Sequence, residues 1–102
     1  MNQQNKTNAI RNCLIDLQKI IEQQDDNEWL KGIKATINSL TNRDGSVSFA
    51  GFQDAKSIYK TMTEGGRGFS EYNIWSEDES ERLCINKELD HIRSKLWVLF
   101  DL

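Results

Sequence analysis

The residues of this chain that could do chemistry gather in one stretch. Gly65-Gly66-Arg67-Gly68 combines uncovered backbone amides with a guanidinium, a composition suited to an anion. The surroundings argue against a nucleotide site. A phosphate-binding P-loop needs a preceding strand and a following Gly-Lys-Ser/Thr, and a dinucleotide fingerprint needs a βαβ unit. Neither accompanies these glycines. A tight chain reversal is their plainer role. Phe69, Tyr72, Ile74 and Trp75 follow and would pin such a reversal, and Tyr72 and Trp75 each keep a polar edge of the kind favoured at protein interfaces.

Next comes the acidic run Glu77-Asp78-Glu79-Ser80-Glu81. Carboxylates at a helix N-terminus stabilise its dipole by about 0.3–1 kcal/mol each. This many acids exceed that need, and with Glu71 they form a negative patch beside an aromatic loop, suited to a basic protein partner. The candidate partner-binding set is therefore Arg67, Phe69, Glu71, Tyr72, Trp75, Glu77, Asp78, Glu79 and Glu81.

The usual catalytic groups are isolated. His91 is the only histidine and has no serine, cysteine or metal-ligand companion nearby in sequence, so a helix-surface position is expected. Asp90 and Arg93 read as a surface pair. Cys13 and Cys84 lie in apolar helical patterns outside any Cys/His cluster, so both are expected to be buried free thiols, with no metal site. These readings predict no enzymatic activity and no cofactor.

The elements that must position these residues are helical. A chain of 102 residues with 37% hydrophobic and 28% charged content fits one folded domain. It has no proline, which favours short connections between helices. Apolar spacing predicts helix 1 over 8–24 (Ile10, Cys13, Leu14, Leu17, Ile20, Ile21), with residues 1–7 frayed and Thr7 or Asn8 as cap. Helix 2 is expected over 27–40, with Trp29, Ile33, Ile37 and Leu40 as its stripe and Asp26 or Asn27 as cap. Gly32 inside it costs about 1 kcal/mol relative to alanine, and a close helix contact would explain it. Residues 41–46 form a turn, because no alternating strands flank Asp44-Gly45.

Helix 3 is expected over 48–64, using Phe49, Phe52, Ala55, Tyr59 and Met62, with Gly51 weakening its first turn and Gly65 as the left-handed residue past its end. Ser76-x-x-Glu79 has the form of a capping box. Helix 4 should then run to Phe100 with a broad face of Leu83, Ile85, Leu89, Ile92, Leu96, Leu99 and Phe100, with Trp97 at its edge, and occupy the centre of the fold. The expected fold class is all-α: an antiparallel bundle of about four helices, with residues 8–102 as a single domain.

A net charge of −3 argues against a nucleic-acid binder. No stretch approaches the ~20 apolar residues of a membrane span, and Met1-Asn2-Gln3-Gln4-Asn5 lacks the apolar core of a secretion signal. A bacterial cytoplasm is the expected location.

Glu28-Trp29-Leu30, Asp44-Gly45, Gly65-Gly66-Arg67-Gly68-Phe69-Ser70-Glu71-Tyr72 and a tryptophan near the end, Trp97, together resemble a group of small helical bacterial proteins of unassigned function. The likeness covers residues 27–100. This chain departs from it at Arg67, Phe69-Ser70 and Ile74-Trp75. Size, acidity and architecture are also similar in type to bacterial immunity proteins, small antitoxins that block a cognate toxin domain. The resemblance implies a cognate protein toxin, basic and nuclease-like, as partner, with no catalytic residues carried over. The alternatives are a self-associating housekeeping or regulatory protein and a small-ligand binder using the glycine loop.

Overall fold

A computed structural model of the protein describes residues 3–24, 28–64 and 68–102. The described residues form four α-helices and one 3₁₀ turn: α1 (Gln3–Glu22), α2 (Glu28–Ser39), α3 (Phe52–Thr63), the 3₁₀ turn (Phe69–Glu71) and α4 (Glu79–Leu99). This is the small all-α bundle that the apolar spacing predicts. Its extents are 42 × 25 × 24 Å, so one axis is clearly long.

α1 begins at Gln3 rather than near Asn8, and Thr7 is a buried helical residue instead of a cap. Thr7, Ile10, Leu14, Leu17 and Ile21 alternate three and four residues apart, which places them on one side of the helix, and all are fully buried. In α2 the buried side is Leu30, Ile33 and Thr36, followed by Leu40. Trp29 and Ile37 of the expected stripe are only half-buried. The stripe is rotated because α2 lies between α1 and α3 and is covered on two flanks. Thr36 satisfies its hydroxyl by donating to the Gly32 carbonyl at 2.7 Å. The expected α2 cap, Asp26 or Asn27, lies outside the described residues.

The close contact expected at Gly32 is present: a Cβ there would lie 2.7 Å from the Met62 sulfur of α3. The tighter approach is at Gly51. A Cβ there would stand 1.6 Å from the Ser39 carbonyl oxygen, so Gly51 lets the start of α3 lie directly on the end of α2. This displaces the start of α3 to Phe52 and leaves Phe49, an expected core residue, 46% exposed. The turn between the two helices closes with one antiparallel bridge between Thr41 and Val47 and uses Gly45 at φ 89°. Arg11 of α1 ties it down by donating to the Gly45 carbonyl at 2.9 Å.

α4 is not the centre of the bundle. The helices pack in the order α3, α2, α1, α4. α4 buries Leu89, Ile92 and Leu96 and is followed by buried Phe100, while Leu83 is 63% and Trp97 51% exposed. Cys84 is exposed, contrary to the buried thiol expected of it; Cys13 is buried, and burial raises its thiol pKa. Phe100 joins α4 to α3 by stacking on Tyr59 at 5.3 Å and meeting Phe52 at 5.8 Å between centroids. Beyond it, Asp101 adopts a left-handed φ of 58°, and the amides of Asp101 and Leu102 donate to the carbonyls of Val98 and Trp97. That double bond is a Schellman termination. Lys6 of α1 secures it with a 2.6 Å bond to Asp101, whose carboxyl it holds below the ordinary range.

Candidate functional site

The segment from Gly68 to Asp78 is the irregular part of the fold on which the sequence concentrates its aromatics and acids. Three polar side chains of α4 hold it. Arg82, Asn86 and Arg93 are spaced four and seven residues apart, so they share one helical stripe beside the apolar face. Asn86 uses both ends of its amide on one residue: it accepts from the Ile74 N–H at 2.8 Å and donates to the Ile74 carbonyl at 2.9 Å, as a neighbouring strand would. It also donates to the Arg82 carbonyl at 2.9 Å.

Arg93 donates through one nitrogen to the carbonyls of Phe69 and Tyr72, at 2.7 and 2.6 Å, and its guanidinium carbon lies 5.5 Å from the Phe69 ring centroid. Its other nitrogen bonds Asp90. Arg93 thus makes the expected pair with Asp90 but is itself a largely buried clamp, with a 10% exposed side chain. Arg82 completes the set by donating to the Ser76 carbonyl at 3.1 Å and stacking its guanidinium 4.6 Å from the Trp75 centroid.

At its other end the segment rests on α3. A Cβ on Gly68 would fall 2.4 Å from the Glu64 and 2.6 Å from the Thr63 carbonyl oxygens. Its φ of −75° is ordinary, so this glycine serves close approach rather than an unusual backbone angle. Ser70 adds a bond from its hydroxyl to the Thr63 carbonyl at 2.9 Å. Gly65, Gly66 and Arg67, the candidate anion loop and helix cap, lie outside the described residues.

The aromatic residues divide sharply. Phe69 is fully buried, with its centroid 5.4 Å from Trp29 and 5.9 Å from Tyr72. It is an internal anchor, which corrects its place among the candidate contact residues. Tyr72 is half-buried beside Trp29 at 6.0 Å. From there the extended chain alternates: Ile74 turns inward at 3% exposure and Trp75 outward at 74%. Trp75 is therefore both the most exposed large apolar side chain described and one whose backbone neighbours are bonded on each side, at Ile74 and Ser76.

The acids have divided roles as well. Asp78 caps α4 by accepting from the Glu81 N–H at 3.0 Å. The cap is thus Asp78, two residues later than the capping box expected at Ser76, and the Glu81 side chain does not return to the Asp78 N–H as a capping box would. Ser76 instead accepts from the Asp78 N–H at 3.3 Å and donates to Glu81 at 3.4 Å. Glu71, Glu77, Glu79 and Glu81 are exposed. They place negative charge on both sides of Trp75 in the chain, and among the described residues none of them forms an ion pair.

Among the described residues no group of His, Cys, Asp and Glu is placed to hold a metal ion. His91 is exposed on α4. No described helix is long and apolar enough to cross a membrane. No protein-family model, curated protein or solved structure matches the chain.

The clamp residues were missed in the sequence because they look like ordinary helix-surface polar residues. The only available signal was their position: Arg82, Asn86 and Arg93 follow a single line along the margin of the apolar face.

Proposed function

We propose that this chain is an immunity-type interaction protein that neutralises a basic, nuclease-like toxin domain by covering its substrate-binding surface. The observation that carries the reading is Trp75: a ring 74% exposed, braced by the Arg82 guanidinium, on a backbone fixed to α4 and followed directly by an acidic helix start. Exposing a large ring costs solvation, and fixing it in advance removes an entropy cost from binding. Rigid aromatic anchors surrounded by charge are the residues that dominate protein interfaces. Glu71, Glu77, Glu79 and Glu81 would add attraction to a basic partner, mainly through faster encounter.

The reading is tested by affinity capture from the native cell, followed by identification of the bound protein and an assay of its activity against nucleic acid. The expected partner is basic, and stoichiometric addition of this chain inhibits it. Trp75→Ala should weaken the complex by about 2 kcal/mol or more, roughly thirtyfold in Kd. Glu77→Gln combined with Glu79→Gln should slow association at low salt and lose that effect as salt rises. An unaltered Kd in Trp75→Ala would remove the segment from the interface.

A further inference from the structure

The bonds that tie the Trp75 segment to α4 all fall on one edge of it. From Tyr72 to Glu77 exposure alternates residue by residue: Tyr72, Ile74 and Ser76 turn in, and Asn73, Trp75 and Glu77 turn out. This is the period of an extended chain, and Tyr72 has backbone angles to match, φ −70° and ψ 130°. The groups bonded to α4 side chains are the Tyr72 carbonyl, the Ile74 N–H and carbonyl, and the Ser76 carbonyl. They belong to alternate residues, as on one edge of a strand. An extended chain directs the N–H and C=O of the intervening residues to the opposite edge. There, among the described residues, the backbone groups of Asn73 and Trp75 make no hydrogen bond, and both residues are exposed.

The segment is thus a short strand with one edge filled by side chains of α4 and the other unpaired. A second extended backbone offers donors and acceptors at the same two-residue repeat, about 6.6 Å. We propose that the edge at Asn73 and Trp75 takes up one basic strand of the partner, which pairs with these N–H and C=O groups and lays its side chains beside the Trp75 ring. The proposal rests on the partner-binding reading of this segment and adds how the partner docks. The charge of the strand follows from the flanks. Glu71 and Glu77 are exposed at the two ends of the extended run and form no ion pair among the described residues, so the strand that fits carries lysine or arginine near each end. The same acids argue against a second copy as occupant. In the antiparallel register that uses the free groups of both residues, Asn73 of one copy lies opposite Trp75 of the other. Glu71 then falls opposite Glu77 at both ends, and like charges so placed destabilise a pair of strands.

Substitution at position 73 separates backbone from side chain. Asn73→Pro deletes one N–H of the free edge and spares the Ile74 bonds and the Trp75 ring. Tyr72 already lies in the extended region required before proline. Asn73→Ala removes the side chain and keeps the N–H. The probe is a synthetic Asn-Gly hairpin of alternating lysine and valine, with a glutamate-for-lysine hairpin as control. The wild type and Asn73→Ala should bind the lysine hairpin equally, and Asn73→Pro about tenfold more weakly. The glutamate hairpin should not bind. In the wild-type complex, hydrogen exchange at the Trp75 amide should slow by about tenfold, while the Ile74 amide, already bonded, changes little. This readout decides the matter if circular dichroism shows Asn73→Pro to be unfolded. Failure of the lysine hairpin to bind, equal binding by a folded Asn73→Pro, or an unprotected Trp75 amide in the complex would overturn the proposal. So would equal binding of the glutamate hairpin, or wild-type dimers in sedimentation that Asn73→Pro abolishes, since the second copy would then be the occupant. The partner reading fails separately, by an unaltered Kd of Trp75→Ala for the captured protein. Loss of that affinity in Trp75→Ala but not in Asn73→Pro would keep the interface and remove the strand.

Discussion

Two regions of this molecule are held together by different means. In α1, α2 and α3 the contacts are apolar: Ile10, Leu14, Leu17, Ile33, Ala55 and Tyr59 are all buried at 1% exposure or less. In the segment from Gly68 to Asp78, apolar anchoring comes from Phe69, Tyr72 and Ile74, and the polar grip comes mainly from side chains of α4 onto backbone groups, with one bond from Ser70 to α3. Burying leucines fixes a helix against its neighbour but leaves rotations and small slides nearly equal in energy. Directed hydrogen bonds to a particular carbonyl or amide do not. The difference fits a division of labour: an apolar base that supplies stability, and a polar clamp that fixes the direction of one exposed ring.

The comparison can be broken most forcefully on its apolar side. Leu14→Ala and Leu96→Ala should each cost about 2–5 kcal/mol, because both side chains are fully buried. Chemical denaturation measures this. A wild-type midpoint for Leu96→Ala would detach α4 from the core altogether.

The two glycines of the base sharpen the point. Gly51→Ala sets a methyl against a backbone oxygen 1.6 Å away, and Gly32→Ala sets one against the flexible end of Met62 at 2.7 Å. The first should cost at least the ~1–3 kcal/mol of an overpacked site. The second should cost much less, because Met62 can swing aside and alanine favours helix by about 1 kcal/mol. Equal losses in the two variants would contradict the close approach assigned to Gly51.

On the polar side, Arg93→Ala strips the donors from the Phe69 and Tyr72 carbonyls and should cost about 1.5–3 kcal/mol. Arg93→Lys should recover only part of this, since a point charge cannot reproduce the planar fork. Full recovery by lysine would reduce the clamp to simple charge.

The smallest effects are at exposed carboxylates. The Ser46 hydroxyl and amide hold the Asp44 carboxyl below its ordinary range, and Lys6 does the same for Asp101. A lowered folded pKa means that protons bind the unfolded chain more readily. The stabilisation is therefore complete above the ordinary carboxylate range near ~4 and is lost as pH falls through the lowered folded values. Asp44→Asn with Asp101→Asn should flatten this acid limb of a stability–pH curve. A limb as steep as the wild type's would assign it to other carboxylates.

Legibility in the sequence divides along the same line. The helical architecture was readable because apolar residues at three- and four-residue spacing report a covered face, as in Ile10, Leu14, Leu17 and Ile21. The same rule placed α4 at the centre and failed, because spacing shows which residues share a face but not whether a neighbour covers it. Leu83, Trp97 and Val98 are apolar and exposed. The position of Trp75 was legible as a candidate, and its outward direction follows from alternation with Ile74. Its support was not legible. A side chain that bonds backbone groups twelve to twenty-four positions away, as Asn86 and Arg93 do, leaves no period in the sequence, and the groups it bonds carry no residue identity.

The central claim, that α4 holds the Trp75 segment by polar bonds independent of the apolar base, is tested most directly at one amide. The Ile74 N–H donates to Asn86 and is one of the segment's two backbone bonds to that side chain, the other being the Ile74 carbonyl. Residue-resolved hydrogen exchange should show this amide protected in the wild type. In Asn86→Ala its exchange should quicken by about tenfold, the equivalent of ~1.4 kcal/mol and within the cost of an unsatisfied donor, while the amides of Leu14 and Leu17 keep most of their protection. Unchanged protection at Ile74, or protection lost in equal measure at Ile74 and throughout α1, would contradict the account.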